Sequence, residues 1–138
     1  MSDASVTVTS TATPWRADIT DGTHRWHADE PASAGGADTG PNPSQMICGA
    51  LGACTVITVQ MYAARKQWPL TGIDVTVLKN PRGKPADGAT ELDRQVRLTG
   101  ELSAEQRERL LEVANKCPIH KLLSGTVRIA TALAPENP

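Results

Sequence analysis

The spacing of apolar and polar residues changes period several times along this chain. Ser5 to Thr9 alternates with period two and is rich in β-branched side chains, which predicts a half-buried strand. A second alternation runs from Trp15 to Thr20, Asp21-Gly22 marks a hairpin turn, and Thr23 to Ala28 returns as the partner strand. From Thr39 to Ala64 the pattern carries no charge at all. Asn42-Pro43 punctuates a helix start, Arg65 and Lys66 suit a helix end and Pro69 prevents continuation, so a helix is expected from Pro43 or Ser44 to about Lys66. Met46, Ile47, Ala50, Leu51, Val56, Ile57, Val59 and Met61 surround it on every side, and a helix without a polar face is expected to be buried all round.

Downstream, Ile73 to Leu78 alternates as a strand, Asn80 to Gly88 is a polar excursion, and Leu92 to Thr99 resumes the sheet with its charges expected to face water. Ser103 opens a second helix with Glu105 and Gln106 placed for a capping box, and its apolar stripe is Leu110, Leu111, Val113 and Ala114. That helix delivers Cys117-Pro118, and Thr126 to Thr131 is expected to close the sheet. Asp29 to Pro41, dense in Gly, Pro, Ala and Asp, is too long for a plain connector and reads as a functional loop feeding the central helix. The order of elements predicts an α+β fold in which helices pack on antiparallel sheet, as one domain over residues 1–138.

Composition narrows this picture. A chain of 138 residues has little material to cover an apolar helix on all faces, which points to a homodimer. Phe is absent, and a net charge of −1 with no basic run excludes a nucleic-acid partner. The start, Met1-Ser2-Asp3-Ala4-Ser5, has neither the cationic residues nor the apolar stretch of an export leader. Ser44, Gln45, Thr55, Thr58 and Gln60 dilute the central helix, so it reads as a core helix and no membrane is expected. Three cysteines without an export leader fit a reducing cytoplasm.

Cys54 lies near the middle of the central helix and Cys48 six residues before it, roughly 240° away around the axis, so the two cannot bridge within the helix. Taken alone, Cys48, Cys54 and Cys117 each also fit a small, inert core residue. His24 and His27 fall on opposite faces of a strand, and no other group of Cys, His or carboxylate residues shows ligand spacing, so no metal or other cofactor is expected.

Several pieces in order carry more information than any of them alone. Asp29-Glu30-Pro31, Gly35-Gly36, Gly40-Pro41-Asn42-Pro43, Leu51-Gly52-Ala53-Cys54 and Lys116-Cys117-Pro118 with His120 resemble the shared motifs of the OsmC/Ohr family of bacterial thiol peroxidases, in its broad OsmC-like branch. The resemblance runs from about Trp15 to Thr131 and implies an OsmC-like fold with a long buried central helix, a second helix and an intertwined homodimer. It further implies that Cys54 attacks an organic hydroperoxide as a thiolate and becomes a sulfenic acid, that Cys117 condenses with it into a disulfide, and that a dithiol restores both.

A thiol in mid-helix is beyond the reach of the helix dipole and needs a nearby cation to ionise. The family supplies an arginine from an N-terminal strand or loop, and Arg16 is the best positional match, ahead of Arg25 and with an exposed strand charge as its bland alternative. Gln45, Met46, Leu51 and Ile57 are the candidates for binding substrate. Family members carry a glutamate after Asn-Pro that pairs with the arginine; here Ser44 and Gln45 stand there, with Glu30 or Asp38 as substitutes. His120 either tunes Cys117 or serves the helix end. Two other classes fit the same residues: an apolar-ligand-binding module that has kept the fold without turnover, and a thiol redox sensor or sulfur-handling protein in which Cys54 reacts once.

Overall fold

The structure, a computed structural model, describes residues 2–136. Its elements are β1 (Thr7–Ser10), β2 (Ala17–Thr20), β3 (Arg25–Ala28), α1 (Pro43–Lys66), β4 (Leu70–Lys79), β5 (Leu92–Gly100), α2 (Ala104–Ala114) and α3 (Pro118–Ser124), with a 3-10 turn at Ala32–Ala34. The strands form a sheet ordered β1-β2-β3 and a separate β4-β5 pair. Two compact units divide the chain: residues up to Ala50 with Val77–Asp93, and Leu51–Thr76 with Arg94 onward.

In the first unit β1, β2 and β3 pair antiparallel, with Val8 opposite Ile19 and Ile19 opposite Trp26. The β2–β3 turn is closed by the Asp21 carboxylate, which accepts from the Thr23 N–H at 2.8 Å and the His24 N–H at 2.6 Å, while Gly22 takes φ 98°, which any Cβ would resist. The loop before α1 is organised by Asp29, 1% exposed, whose carboxylate accepts from the Glu30 N–H at 2.8 Å, the Thr39 N–H at 3.1 Å and the Thr39 hydroxyl at 2.7 Å. The His27 ring nitrogen Nε2 donates to the Thr39 carbonyl at 2.9 Å and holds the same point from β3. Gly36 passes so close to the Glu30 backbone that a Cβ there would overlap it. Asn42 then starts α1: its side chain accepts from the Gln45 N–H at 2.8 Å, and the Gln45 amide oxygen accepts from the Asn42 N–H at 2.9 Å.

In the second unit Val59, Ala63, Leu110, Val113 and Ala114 form the core, with Tyr62, Trp68, Leu70, Ile73, Leu98 and Leu102 packed around it. Here α1 lies on α2, whose start is fixed by the expected capping box: the Ser103 hydroxyl accepts from the Gln106 N–H at 3.1 Å and the Gln106 amide oxygen from the Ser103 N–H at 2.9 Å. No buried side-chain nitrogen or oxygen among the described residues lacks a hydrogen-bond partner.

Four sequence expectations change. Within this chain α1 buries one stripe only, Leu51, Thr55, Val59 and Ala63 at every fourth position, and leaves Ile47, Ile57 and Met61 at least half exposed. It remains the one described helix long and apolar enough to cross a membrane. Thr126 to Thr131 forms no strand, and Val127 and Ile129 lie exposed, because the segment pairs with neither sheet in the single chain. A third helix, α3, occupies the segment after Cys117. Finally, β5 does not turn all its charges to water: Leu92, Arg94, Val96 and Leu98 share the less exposed face, so Arg94 sits inward.

Two outcomes follow from this packing. Leu110→Ala removes a fully buried side chain and is expected to cost about 2–5 kcal/mol, read by urea unfolding. The three bonds to Asp29, the Thr39 hydroxyl first among them, lower its carboxyl from the ordinary 3.8 to about 2. A depressed carboxylate stabilises the fold above its unfolded value and loses that contribution as it protonates, so the loop is expected to loosen as pH falls from 3.8 towards 2. The Thr39 amide resonance in NMR should report that midpoint, and Asp29→Asn should abolish the titration.

Candidate active site

The second unit brings three separate stretches of chain to one sulfur. Thr55 comes from the buried stripe of α1, Arg94 from the inward face of β5, and Asn115, Cys117 and His120 from the α2–α3 junction. Cys117 is the N-cap of α3: with Pro118 in the first turn, its extended backbone (φ −64°, ψ 144°) lets its Sγ accept the His120 N–H at 3.3 Å. A cysteine in the place of a capping Ser or Asp is thus both the helix start and a sulfur held by a donor.

Arg94 is the centre of the cluster. Its Nη1 donates to the Thr55 hydroxyl at 3.0 Å and to Cys117 Sγ at 3.8 Å, and its Nη2 donates to Asn115 Oδ1 at 2.8 Å and to His120 Nδ1 at 2.9 Å. A guanidinium only donates, so His120 Nδ1 is an acceptor here and the ring proton resides on Nε2. Thr55 passes its own proton to the Leu51 carbonyl at 2.7 Å, which leaves its oxygen free to accept from Arg94. Among the described residues no carboxylate lies in ion-pair contact with Arg94. A part-buried, permanently charged guanidinium without a carboxylate favours an anion beside it, and the Cys117 sulfur is the titratable group in position to become one.

The thiol environment reflects both pulls. Burial pushes the Cys117 thiol up, but the His120 N–H, the Cys54 side chain and the Arg94 charge are among the groups that bring it below the ordinary cysteine value. Cys54 is therefore a neighbour that acts on the Cys117 thiol, and both cysteines are free thiols. Cys117 is fully buried, whereas Cys54 is half-buried with the Thr58 hydroxyl 3.9 Å from its sulfur.

The other residues singled out in the sequence lie elsewhere or do other work. Arg16 and Arg25 belong to the first unit, where Arg16 Nε pairs with Asp18 at 3.0 Å and both arginines line a shallow concavity on the β1–β3 sheet. Gln45 spends its amide oxygen on the Asn42 cap, and Ser44 Oγ accepts from Lys79 Nζ at 3.0 Å. Met46 is half-buried, Leu51 is buried and Ile57 is half exposed. Glu30 and Asp38 form no ion pair among the described residues. Cys48 is a half-buried free thiol of the first unit. Sequence reasoning missed Arg94, Thr55 and Asn115. The signal for Arg94 was present in the alternation, since Leu92, Val96 and Leu98 put position 94 on the apolar face.

A folded α+β chain with antiparallel sheets, a long helix and two neighbouring cysteines defines a thiol-bearing protein of the OsmC type. The family model for the OsmC-like protein matches residues 35–132, and the chain belongs to that family. A comparison with curated protein sequences finds no match. Solved structures share the fold. The OsmC-like protein of Mycoplasma pneumoniae has a TM-score of 0.75 at 18% identity, covering 90% of this chain and 89% of that one. An organic hydroperoxide resistance protein from Legionella pneumophila gives 0.65 at 20% identity, covering 91% of each chain. The organic hydroperoxide resistance protein OhrB of Bacillus subtilis gives 0.59 at 25% identity, covering 88% and 90%.

The Arg94 contact yields a direct prediction. In a Cys48→Ser, Cys54→Ser background the ultraviolet absorbance of the thiolate titrates Cys117 alone. Arg94→Ala removes a cation that favours the charged form, so the titration should move to higher pH by about one unit, while Arg94→Lys should move it less.

Proposed function

We propose that this protein is a cysteine peroxidase of organic hydroperoxides that works as a cytoplasmic homodimer. The observation that carries the reading is the pair of free thiols, Cys54 accessible and Cys117 buried, gathered with Arg94 in one cluster. Family membership and the hydroperoxide resistance named for the Legionella and Bacillus relatives supply the substrate class.

In this reading the Cys54 thiolate attacks the terminal peroxide oxygen. The O–O bond breaks, the alkoxide takes a proton and leaves as the alcohol, and Cys54 becomes a sulfenic acid. The Cys117 thiolate then attacks Cys54 Sγ, the S–O bond breaks, and the hydroxide leaves as water once protonated. The product is a Cys54–Cys117 disulfide, and a dithiol returns the two electrons. Burial of Cys117 keeps it from reacting with peroxide itself, and its ionised form is the one that resolves the sulfenic acid. Met46, Leu51 and Ile57 supply apolar surface towards an alkyl chain, with Gln45 at the helix start. Arg16 is proposed to activate Cys54, from its own or the partner subunit, whereas Arg94 acts on Cys117. The half-exposed Ile47, Ile57 and Met61 of α1 and the unpaired alternation at 126–131 are the surfaces a second copy would cover.

Peptide mass spectrometry after one equivalent of an alkyl hydroperoxide is expected to find Cys54 linked to Cys117 with Cys48 reduced. In stopped-flow oxidation the alkyl hydroperoxide should outpace hydrogen peroxide. Arg16→Ala should slow sulfenic acid formation by roughly one to two powers of ten, the worth of one lost charged contact. Gln45→Glu should speed the same step, and Arg94→Ala should leave it intact while slowing disulfide closure. Light scattering should give a dimer at micromolar concentration. No oxidation of Cys54 by either peroxide would assign the protein to the redox-sensing or ligand-binding class.

A further inference from the structure

The two sulfurs of the cluster are not equivalent towards a reductant. Cys117 is closed to solvent, and its Sγ is met by the His120 N–H at 3.3 Å, Arg94 Nη1 at 3.8 Å and the Thr55 hydroxyl at 3.9 Å. Cys54 is half-buried, and apart from Cys117 its sulfur has the Thr58 hydroxyl at 3.9 Å. Arg94 is held through its other terminal nitrogen by Asn115 and His120 at 2.8 and 2.9 Å, which fixes the guanidinium with Nη1 on Cys117.

We propose that Arg94 is a positioning residue that makes the oxidised pair open in one direction: the reductant enters at Cys54 and Cys117 departs as the anion. The inference rests on the disulfide of the proposed function and assigns the direction of its reduction. One thiolate of a dithiol attacks Cys54 Sγ, a new S–S bond forms to the reductant, the Cys54–Cys117 bond breaks, and its electron pair leaves on Cys117 beside the guanidinium and the His120 N–H. The second thiolate of the dithiol then attacks the sulfur of the first. Cys54 leaves as a thiolate and takes up a proton, while the dithiol is oxidised to its own disulfide. Two effects point the same way, since exchange is faster at the accessible sulfur and faster when the departing sulfur is the better stabilised anion. The opposite direction would require a thiolate to reach a fully buried sulfur and would leave the Arg94 guanidinium without the anion beside it.

The test begins from a Cys48→Ser protein oxidised with diamide, which couples a thiol pair without any peroxide. The disulfide is exposed briefly to the monothiol 2-mercaptoethanol, quenched in acid, blocked with N-ethylmaleimide and mapped by peptide mass spectrometry. The expected adduct is mercaptoethanol on Cys54 and maleimide on Cys117, with a preference of about tenfold or more. Arg94→Ala should bring that preference towards parity and slow reduction about tenfold, and Arg94→Lys should restore most of it. A merely structural role for Arg94 would not move the partition between the two sulfurs. The inference is overturned by an adduct mainly on Cys117, by a partition unchanged in an Arg94→Ala protein with native circular dichroism, or by failure of diamide to link the two cysteines. A diamide-formed disulfide that opens at Cys54, in a protein that neither peroxide oxidises, would keep this inference and remove only the peroxidase reading.

Discussion

The second unit depends on one stripe of α1, in which Leu51, Thr55, Val59 and Ala63 recur every fourth residue and pack inward. Three of the four are apolar, and Val59 and Ala63 do what a helix stripe ordinarily does, burying against Leu110, Val113 and Ala114 at roughly 25 cal/mol for each Å² removed from water. Thr55 is the exception. Its hydroxyl bonds back to the Leu51 carbonyl, so a buried polar group is satisfied within its own helix, and its oxygen then receives Arg94. The apolar contact that fixes α1 on α2 therefore also fixes an acceptor for the guanidinium. Through it, the position of Cys117 is tied to the core.

Much of the fold was legible because its signals are local. The Asp21-Gly22 turn, the Asn42-Gln45 cap, the Ser103-Gln106 capping box and the period-two alternation of β4 each depend on residues close in sequence. Two elements were not legible for physical reasons. The helix α3 spans Pro118–Ser124, too short for a periodic stripe, and its N-cap is a cysteine, a residue type absent from ordinary start signals. The alternation at 126–131 is a strand pattern, but a strand is made by pairing as well as by pattern, and in the single chain this segment pairs with neither sheet.

The site was legible in part, and the division is again local against long-range. The two cysteines were singled out by motif, and Cys54 is among the groups that act on the Cys117 thiol. The arginine that touches Cys117 was passed over because a charged residue in a strand is more often on the wet face, and Asp93, Gln95 and Arg97 around it encourage that reading. Counting by twos from Leu98 through Val96 reaches Arg94, and that parity outweighs composition once one face of the strand is known to be buried. Asn115 carries no comparable signal. It caps the C-terminal end of α2, and only the fold turns its side chain towards Arg94.

An inward strand position is a costly place for a cation. An aliphatic residue at 94 would continue the run of Val96 and Leu98 and would need no desolvation of a guanidinium, and exchanges of buried ionic groups for apolar ones are often neutral or stabilising. Arg94 offsets that cost with bonds to Thr55, Asn115 and His120, which are all neutral while His120 accepts at Nδ1. None of the three cancels its charge. What remains is an uncompensated positive charge aimed at a sulfur that water does not reach. In such a setting the ionisation of Cys117 improves the electrostatics of the cluster, so the features that make position 94 poor for packing are those that make Cys117 a good anion.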